Sequence, residues 1–173
     1  MKKNLVLGLG NILMADDGVG VRVIERIGKQ KATIVAKLDA EIVNGATGGF
    51  ALLEVFEKYE KAVVVDAVNM GKMPGTVCKF SAERLLDLPE SLPAHAYRQA
   101  GGRQGRNFSL HEIGLLEVLK VGKSLNADFK NVVIIGVQPG NLTPGEGLSP
   151  EVEAKIPEII EAVKKEVKYD GNA

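Results

Sequence analysis

The sequence predicts an α/β fold: a three-layer α/β/α sandwich around a twisted, mostly parallel sheet with one antiparallel edge strand, in a single domain over 1–173. Three observations point to it. Apolar runs at Leu5 to Leu9, Ala62 to Val68 and Val132 to Val137 are nearly continuous, as in strands covered on both faces. Segments with helical periodicity lie between these runs. One further run, Thr76 to Phe80, alternates polar with apolar and follows the turn MGKMPG, which marks an edge strand.

Taken in order, Leu5 to Leu9 is the first strand, and a helix follows from Gly18 to about Gly28. Its stripe is Gly20, Val23, Ile24 and Ile27, with Gly20 letting the helix lie close to the sheet. Ala40 to Gly45 is a weaker strand, and Gly48 to Tyr59 a helix facing inward through Leu52, Leu53 and Phe56. Ser109 and Glu112 form an S-x-x-E capping box, so a helix is expected from Leu110 to about Asn126. A last helix runs from Pro150 towards Lys168, with Ser149 as N-cap, Pro150 at the first helical position and Pro157 as a kink or restart. Pro89 to Gly105, which contains YRQAGGRQGR, has no clear period and reads as a long loop.

The 173 residues suffice for one sizeable core. Twenty-two basic and 22 acidic side chains cancel, so no global field favours nucleic acid or an anionic membrane. The N-terminal apolar run is too short and too soon broken by Gly8 and Gly10 to serve as a secretion signal, and no stretch is long enough to span a bilayer. The single cysteine, Cys78, excludes an internal disulfide, and a cytoplasmic location is expected.

The stretch GLGNILMADDGVGVRV, Gly8 to Val23, begins like a nucleotide-binding loop but places Leu13 where the third glycine of G-x-G-x-x-G belongs. Asp39 stands at about the distance of a ribose partner, yet before a strand rather than at the end of one. Charge decides against phosphate. Asp16 and Asp17 occupy the helix start, where amides and dipole would otherwise attract an anion. One like-charge pair at ~4 Å costs on the order of 4 kcal/mol at an effective dielectric of ~20. One of the two aspartates is expected to cap the helix, leaving the other to face the crevice.

Sites in open α/β sheets form at the carboxyl ends of the strands. Asp17 follows the first strand, and Asp66 ends the central run VVVD, where a carboxylate gains nothing unless it is paired or bound. A turn-capping role for Asp66 is the structural alternative. His111 falls in the first turn of the expected third helix, where the dipole favours the neutral, metal-binding ring. Asp17, Asp66 and His111 could thus meet as a mixed oxygen and nitrogen ligand set suited to zinc, nickel or similar ions, with coordination positions left open. A proton-sharing dyad of Asp17 and Asp66 is the other chemistry these residues permit. His95, Cys78 and Ser109 lack such support.

GLGNILMADDGVG, NGATGGFALLEVF, VVVDAV, SLHEIGL and IIGVQP occur in order over nearly the whole chain. Together they resemble the nickel-iron hydrogenase maturation endopeptidases. The resemblance implies an enzyme that removes a C-terminal peptide from the hydrogenase large-subunit precursor after nickel insertion. It also implies that Asp17, Asp66 and His111 are the metal-binding and catalytic residues, with Asp16 keeping the capping role. The expected partner is the nickel-loaded precursor, the nickel belonging to the substrate, and no tightly bound cofactor is expected in the free enzyme. The turn Thr47 to Gly49 either admits a substrate backbone or merely starts a helix. The arginine-bearing loop Tyr97 to Arg106 departs from the family pattern. Two other readings remain: a non-catalytic, metal-sensing chaperone for the large subunit, and a nucleotide-binding enzyme.

Overall fold

The computed structural model describes residues 4–29, 39–46, 48–87 and 114–167. Among the described residues five strands form one sheet: β1 (Asn4–Leu9), β2 (Ala40–Ala46), β3 (Lys61–Ala67), β4 (Val77–Ser81) and β5 (Val132–Val137). Their order is β2-β1-β3-β5-β4. Every pairing is parallel except β4 with β5, so the alternating segment is the antiparallel edge strand expected of it.

The helices are α1 (Val19–Lys29), α2 (Ala51–Glu57), α3 (Ala82–Leu86), α4 (Leu115–Ser124), α5 (Pro150–Glu153) and α6 (Ile156–Glu166). They divide between the two faces of the sheet. Val6, Val63, Val65, Ile135 and Val137 pack under Val19, Val23 and Ile27 of α1, Val152 of α5, and Ile159 and Val163 of α6. Leu5, Leu7, Val64, Val132 and Ile134 pack under Leu52 and Phe56 of α2, Leu85 of α3, and Val118 and Leu119 of α4. Successive strand residues alternate between these cores, which is why the strands read as unbroken apolar runs. Each such buried valine or leucine side chain contributes roughly 1.5–3 kcal/mol.

Two glycines set how closely α1 approaches the sheet. A Cβ at Gly20 would lie 2.1 Å from the Val65 carbonyl oxygen, and one at Gly8 would lie 2.2 Å from the Gly20 oxygen. Any side chain at either position would force helix and sheet apart, as expected of a glycine on the inward stripe.

One helix boundary and one cap differ from expectation. Gly114 has an extended backbone (φ −69°, ψ 168°) and stands at the N-cap of α4, so that helix begins at Leu115 and not at Leu110. The Ser109–Glu112 box and His111 lie outside the described residues. Pro157 does restart the C-terminal helix, as the break between α5 and α6 shows. Ser149 occupies the N-cap position of α5 but makes no side-chain cap; its hydroxyl is bonded elsewhere. Helix α3, capped by Ser81, has no counterpart in the sequence reading, being too short to show a period.

At the amino end of the sheet, Lys61 of β3 and Lys79 of β4 both bond the Glu166 carboxylate, at 2.7 and 2.6 Å, tying the end of α6 to two strands. Burial alone would push the Glu166 carboxyl up, but the hydrogen bonds and charges of the two lysines outweigh it and hold it below its ordinary range.

Candidate functional site at the carboxyl ends of the strands

The chain leaves β1 through Gly10, whose φ of +117° suits glycine, and whose N–H bonds the Ala46 carbonyl at the end of β2. It then reverses into a 3-10 turn, Ala15–Gly18, that runs directly into α1. A Cβ at Gly10 would lie 1.7 Å from the Asp17 oxygen, so this glycine lets the turn fold back over the strand end. The turn also lies against β3, bringing Asp17 to the strand that carries Asp66.

The glycine turn is no phosphate cradle. The Asn11 N–H, of the kind a phosphate would use, donates to the Asp17 carboxylate at 2.7 Å. Asp39 precedes β2, and its carbonyl accepts from Asn4 at the start of β1. It therefore sits at the amino end of the sheet, opposite the glycine turn, where it cannot meet a ribose held there.

Asp16 does not cap its own helix. Met14 is the N-cap of the 3-10 turn and makes no side-chain bond there. The Asp16 side chain is fully buried and reaches across to the loop after β5. Its Oδ2 accepts from the N–H groups of Gly140 and Asn141, each at 2.8 Å, and from the Ser149 hydroxyl at 2.8 Å. Its Oδ1 accepts from the Ser149 N–H at 2.6 Å. Backbone bonds between Leu13 and Gly145, Ala15 and Gly145, and Asp16 and Asn141 stitch the same two loops together. The aspartate that sequence spacing assigns to a local cap is instead the anchor of a contact more than 120 residues away along the chain. No local pattern carries that information.

Asp17 is partly open to solvent. Asp66, at the carboxyl end of β3, accepts from the Ala67 N–H at 2.9 Å. The residue keeps a modest opening to solvent, but its carboxyl is surrounded by protein. Its pKa is raised to about 8, first by that burial and second by the charge of Asp17; the Ala67 N–H opposes this only in part. Asp17 and Asp66 therefore sense one another's charge at the end of adjacent parallel strands. Near neutral pH the Asp66 carboxyl therefore largely keeps its proton.

The third expected residue, His111, lies outside the described residues, as do His95, Thr47 and the loop Tyr97 to Arg106. Among the described residues no three His, Cys, Asp or Glu side chains form a metal-binding group. Gly48 and Gly49, the rest of the turn before α2, both have left-handed φ values, +66° and +68°, which accounts for two successive glycines. A Cβ at Gly49 would meet no described atom, so its conformation and not its packing requires glycine. Cys78 is half-buried on β4.

A family model described as hydrogenase maturation protease matches residues 21–98 and 102–166. The chain belongs to the hydrogenase maturation protease family. It is 30% identical over 168 residues to the hydrogenase 2 maturation protease of Escherichia coli, covering 96% of this chain and 92% of that one. It is 34% identical over 158 residues to the hydrogenase expression/formation protein HupD of Thiocapsa roseopersicina, covering 91% of this chain but only 64% of that longer protein. Its fold matches the hydrogenase maturating endopeptidase HybD from E. coli with a TM-score of 0.67 and 29% identity, over 98% of this chain and 94% of that one. As a member of the family the chain is an endopeptidase, and the α/β/α sandwich is the family's architecture.

One residue at this end of the sheet was not singled out from sequence. Gln138 follows β5 as Asp66 ends β3, a polar side chain directly after an unbroken apolar strand. It is buried, and with Asp16 it makes up the buried polar side chains of the described residues. The logic that selects Asp66 from VVVD would select Gln138 from VVIIGVQ.

Proposed function

We propose that this protease removes the C-terminal extension of a nickel-iron hydrogenase large-subunit precursor once nickel is in place, and that Asp17, Asp66 and His111 engage the nickel held by that substrate. The observation that carries this reading is the coupling of Asp17 to Asp66. Two carboxyl groups share one strand-end crevice, and Asp66 is pushed up to about 8, first by burial and second by the charge of Asp17. A divalent ion arriving with the substrate gives both carboxylates a cation to ligate, so a nickel-loaded precursor binds more favourably than an empty one. Either carboxylate can then take a proton from water attacking a peptide carbonyl beside the metal. Family membership supports the precursor as substrate, and His111 enters as the nitrogen ligand implied by the SLHEIGL motif. The nickel belongs to the substrate, so the free enzyme needs no resident cofactor. Among the described residues no helix is long and apolar enough to cross a membrane, and action in the cytoplasm is part of the proposal.

The test is a mass spectrum of precursor before and after incubation. Nickel-loaded precursor is expected to lose its tail and nickel-free precursor to stay intact. Asp17→Asn and His111→Ala are each expected to slow cleavage by at least ~100-fold, the range of a lost catalytic group. Equal cleavage of loaded and unloaded precursor would overturn nickel recognition. A stable complex without any change in mass would favour a chaperone over a protease.

A further inference from the structure

We propose that Gln138 is a positioning residue that holds the loop between β3 and β4 as one wall of the peptide cleft beside Asp66, and that Met73 on this loop contacts the substrate. The proposal rests on the endopeptidase reading above and adds to it a binding element outside Asp17, Asp66 and His111.

The loop begins immediately after Asp66-Ala67, so its geometry sets what lies next to that carboxyl. The Gln138 Oε1 accepts from the Met70 N–H at 2.7 Å and from the Lys72 N–H at 3.2 Å. Its Nε2 donates to the Asn69 Oδ1 at 3.3 Å and to the Pro139 carbonyl at 3.2 Å. Both acceptor sites and both donors of the amide are therefore used, and three of the four bonds go to the loop. A buried amide offers the core nothing that an apolar side chain would not supply at lower cost. What it adds is a fixed path for residues 69–72.

The second half of the loop is held separately. The Thr76 hydroxyl and N–H both donate to the Met73 carbonyl, at 2.6 and 3.0 Å. The Gly75 N–H donates to the Gln138 carbonyl at 2.9 Å, and the Gln138 N–H to the Thr76 carbonyl at 2.9 Å. Both arms of the loop are thus bonded to one residue.

At the tip of this braced loop, Met73 is 80% exposed, the largest exposure among the big apolar side chains of the described residues. Leu13, on the loop after β1, and Phe50, after β2, are exposed at the same end of the sheet. Leu13 and Phe50 follow β1 and β2, and Met73 stands on the loop that crosses from β3 to β4, so all three are exposed at the end of the sheet where Asp17 and Asp66 stand. An unbranched thioether adapts to varied apolar surface. The fitting ligand is an extended stretch of precursor with apolar side chains next to the bond to be cut.

Gln138→Leu and Met73→Ser are compared with the unaltered protein in steady-state cleavage of nickel-loaded precursor, with amide hydrogen exchange and melting temperature measured on the same samples. Both variants are expected to raise KM, Gln138→Leu by ~10-fold, with kcat within ~3-fold because the sheet and not the loop holds Asp66. Exchange at Met70 and Lys72 should quicken in Gln138→Leu while β3 stays protected. Unchanged KM in either folded variant overturns the proposal, as does a matched fall in kcat and melting temperature without a rise in KM. Should Gln138→Leu not fold, Met73→Ser decides alone, since its side chain is in water already. If the unaltered protein does not cleave the precursor, the endopeptidase reading fails, while unchanged exchange at Met70 and Lys72 would separately refute the role of Gln138.

Discussion

Asp16 and Asp17 are neighbours in sequence with opposite expected phenotypes. Asp16→Ala removes the acceptor of four hydrogen bonds, three from backbone N–H groups and one from the Ser149 hydroxyl. Bonds to a charged acceptor contribute about 1.5–3 kcal/mol each, and four bonds to one carboxylate are not additive. The loss is bounded instead by what breaking a buried charged contact costs, about 3–5 kcal/mol. In a domain of this size that lowers the melting temperature by roughly 6–20 °C. Asp16→Asn does little better, because an amide turns two donors towards a ring of donors. Asp17→Asn keeps an oxygen able to accept from the Asn11 N–H, so it is expected to lose less stability than Asp16→Ala while cleavage slows by at least ~100-fold. Urea unfolding followed by circular dichroism checks all three, with an unchanged m-value confirming that Cm reports stability. A loss below ~1 kcal/mol for Asp16→Ala would refute the anchoring role.

Two pH responses follow from the carboxyl groups already described. The folded pKa of Asp66 lies above its unfolded value, so the folded state holds the extra proton between about 4 and about 8. Stability should therefore decline as pH rises through that window, and Asp66→Asn should remove this share of the slope in Cm measured at pH 5, 7 and 9. Glu166 behaves oppositely, since its folded pKa is depressed: its stabilising share is present above the unfolded value and disappears as pH falls through the folded one. Glu166→Gln should lower Cm at neutral pH and leave a shallower acid limb below the ordinary carboxylate range, and an unaltered acid limb would show that the lysine contacts carry no net energy.

Much of the framework is readable because it depends on short-range pattern. Val63, Val64 and Val65 are apolar in succession since alternate residues serve two different cores, and a continuous run is the direct trace of that arrangement. The glycines at 8 and 20 are legible for a similar reason: close helix–sheet contact tolerates nothing larger. The start of α4 is misread because Ser109 and Glu112 satisfy a local capping rule while the extended backbone of Gly114 places the helix start after them. Asp16 is misread for a stronger reason. Its partners, Gly140, Asn141 and Ser149, come together only through the β5 crossover, and a spacing rule cannot express a contact made by topology. Asp66 stands out in the sequence because a carboxyl at the end of a buried strand is anomalous wherever its partner lies, and it does sit at the carboxyl end of β3.

The Asp16 knot also has a bearing on how the chain comes together during synthesis. The groups that solvate its carboxylate in the finished protein are made more than 120 residues after it. Until Ser149 has emerged, that charge has water as its only adequate host, and the loop bearing Asp17 lacks its distant brace. The crevice therefore takes its final shape only after Ser149 has been made, so a nascent chain that stops short of it can neither bind nor cut.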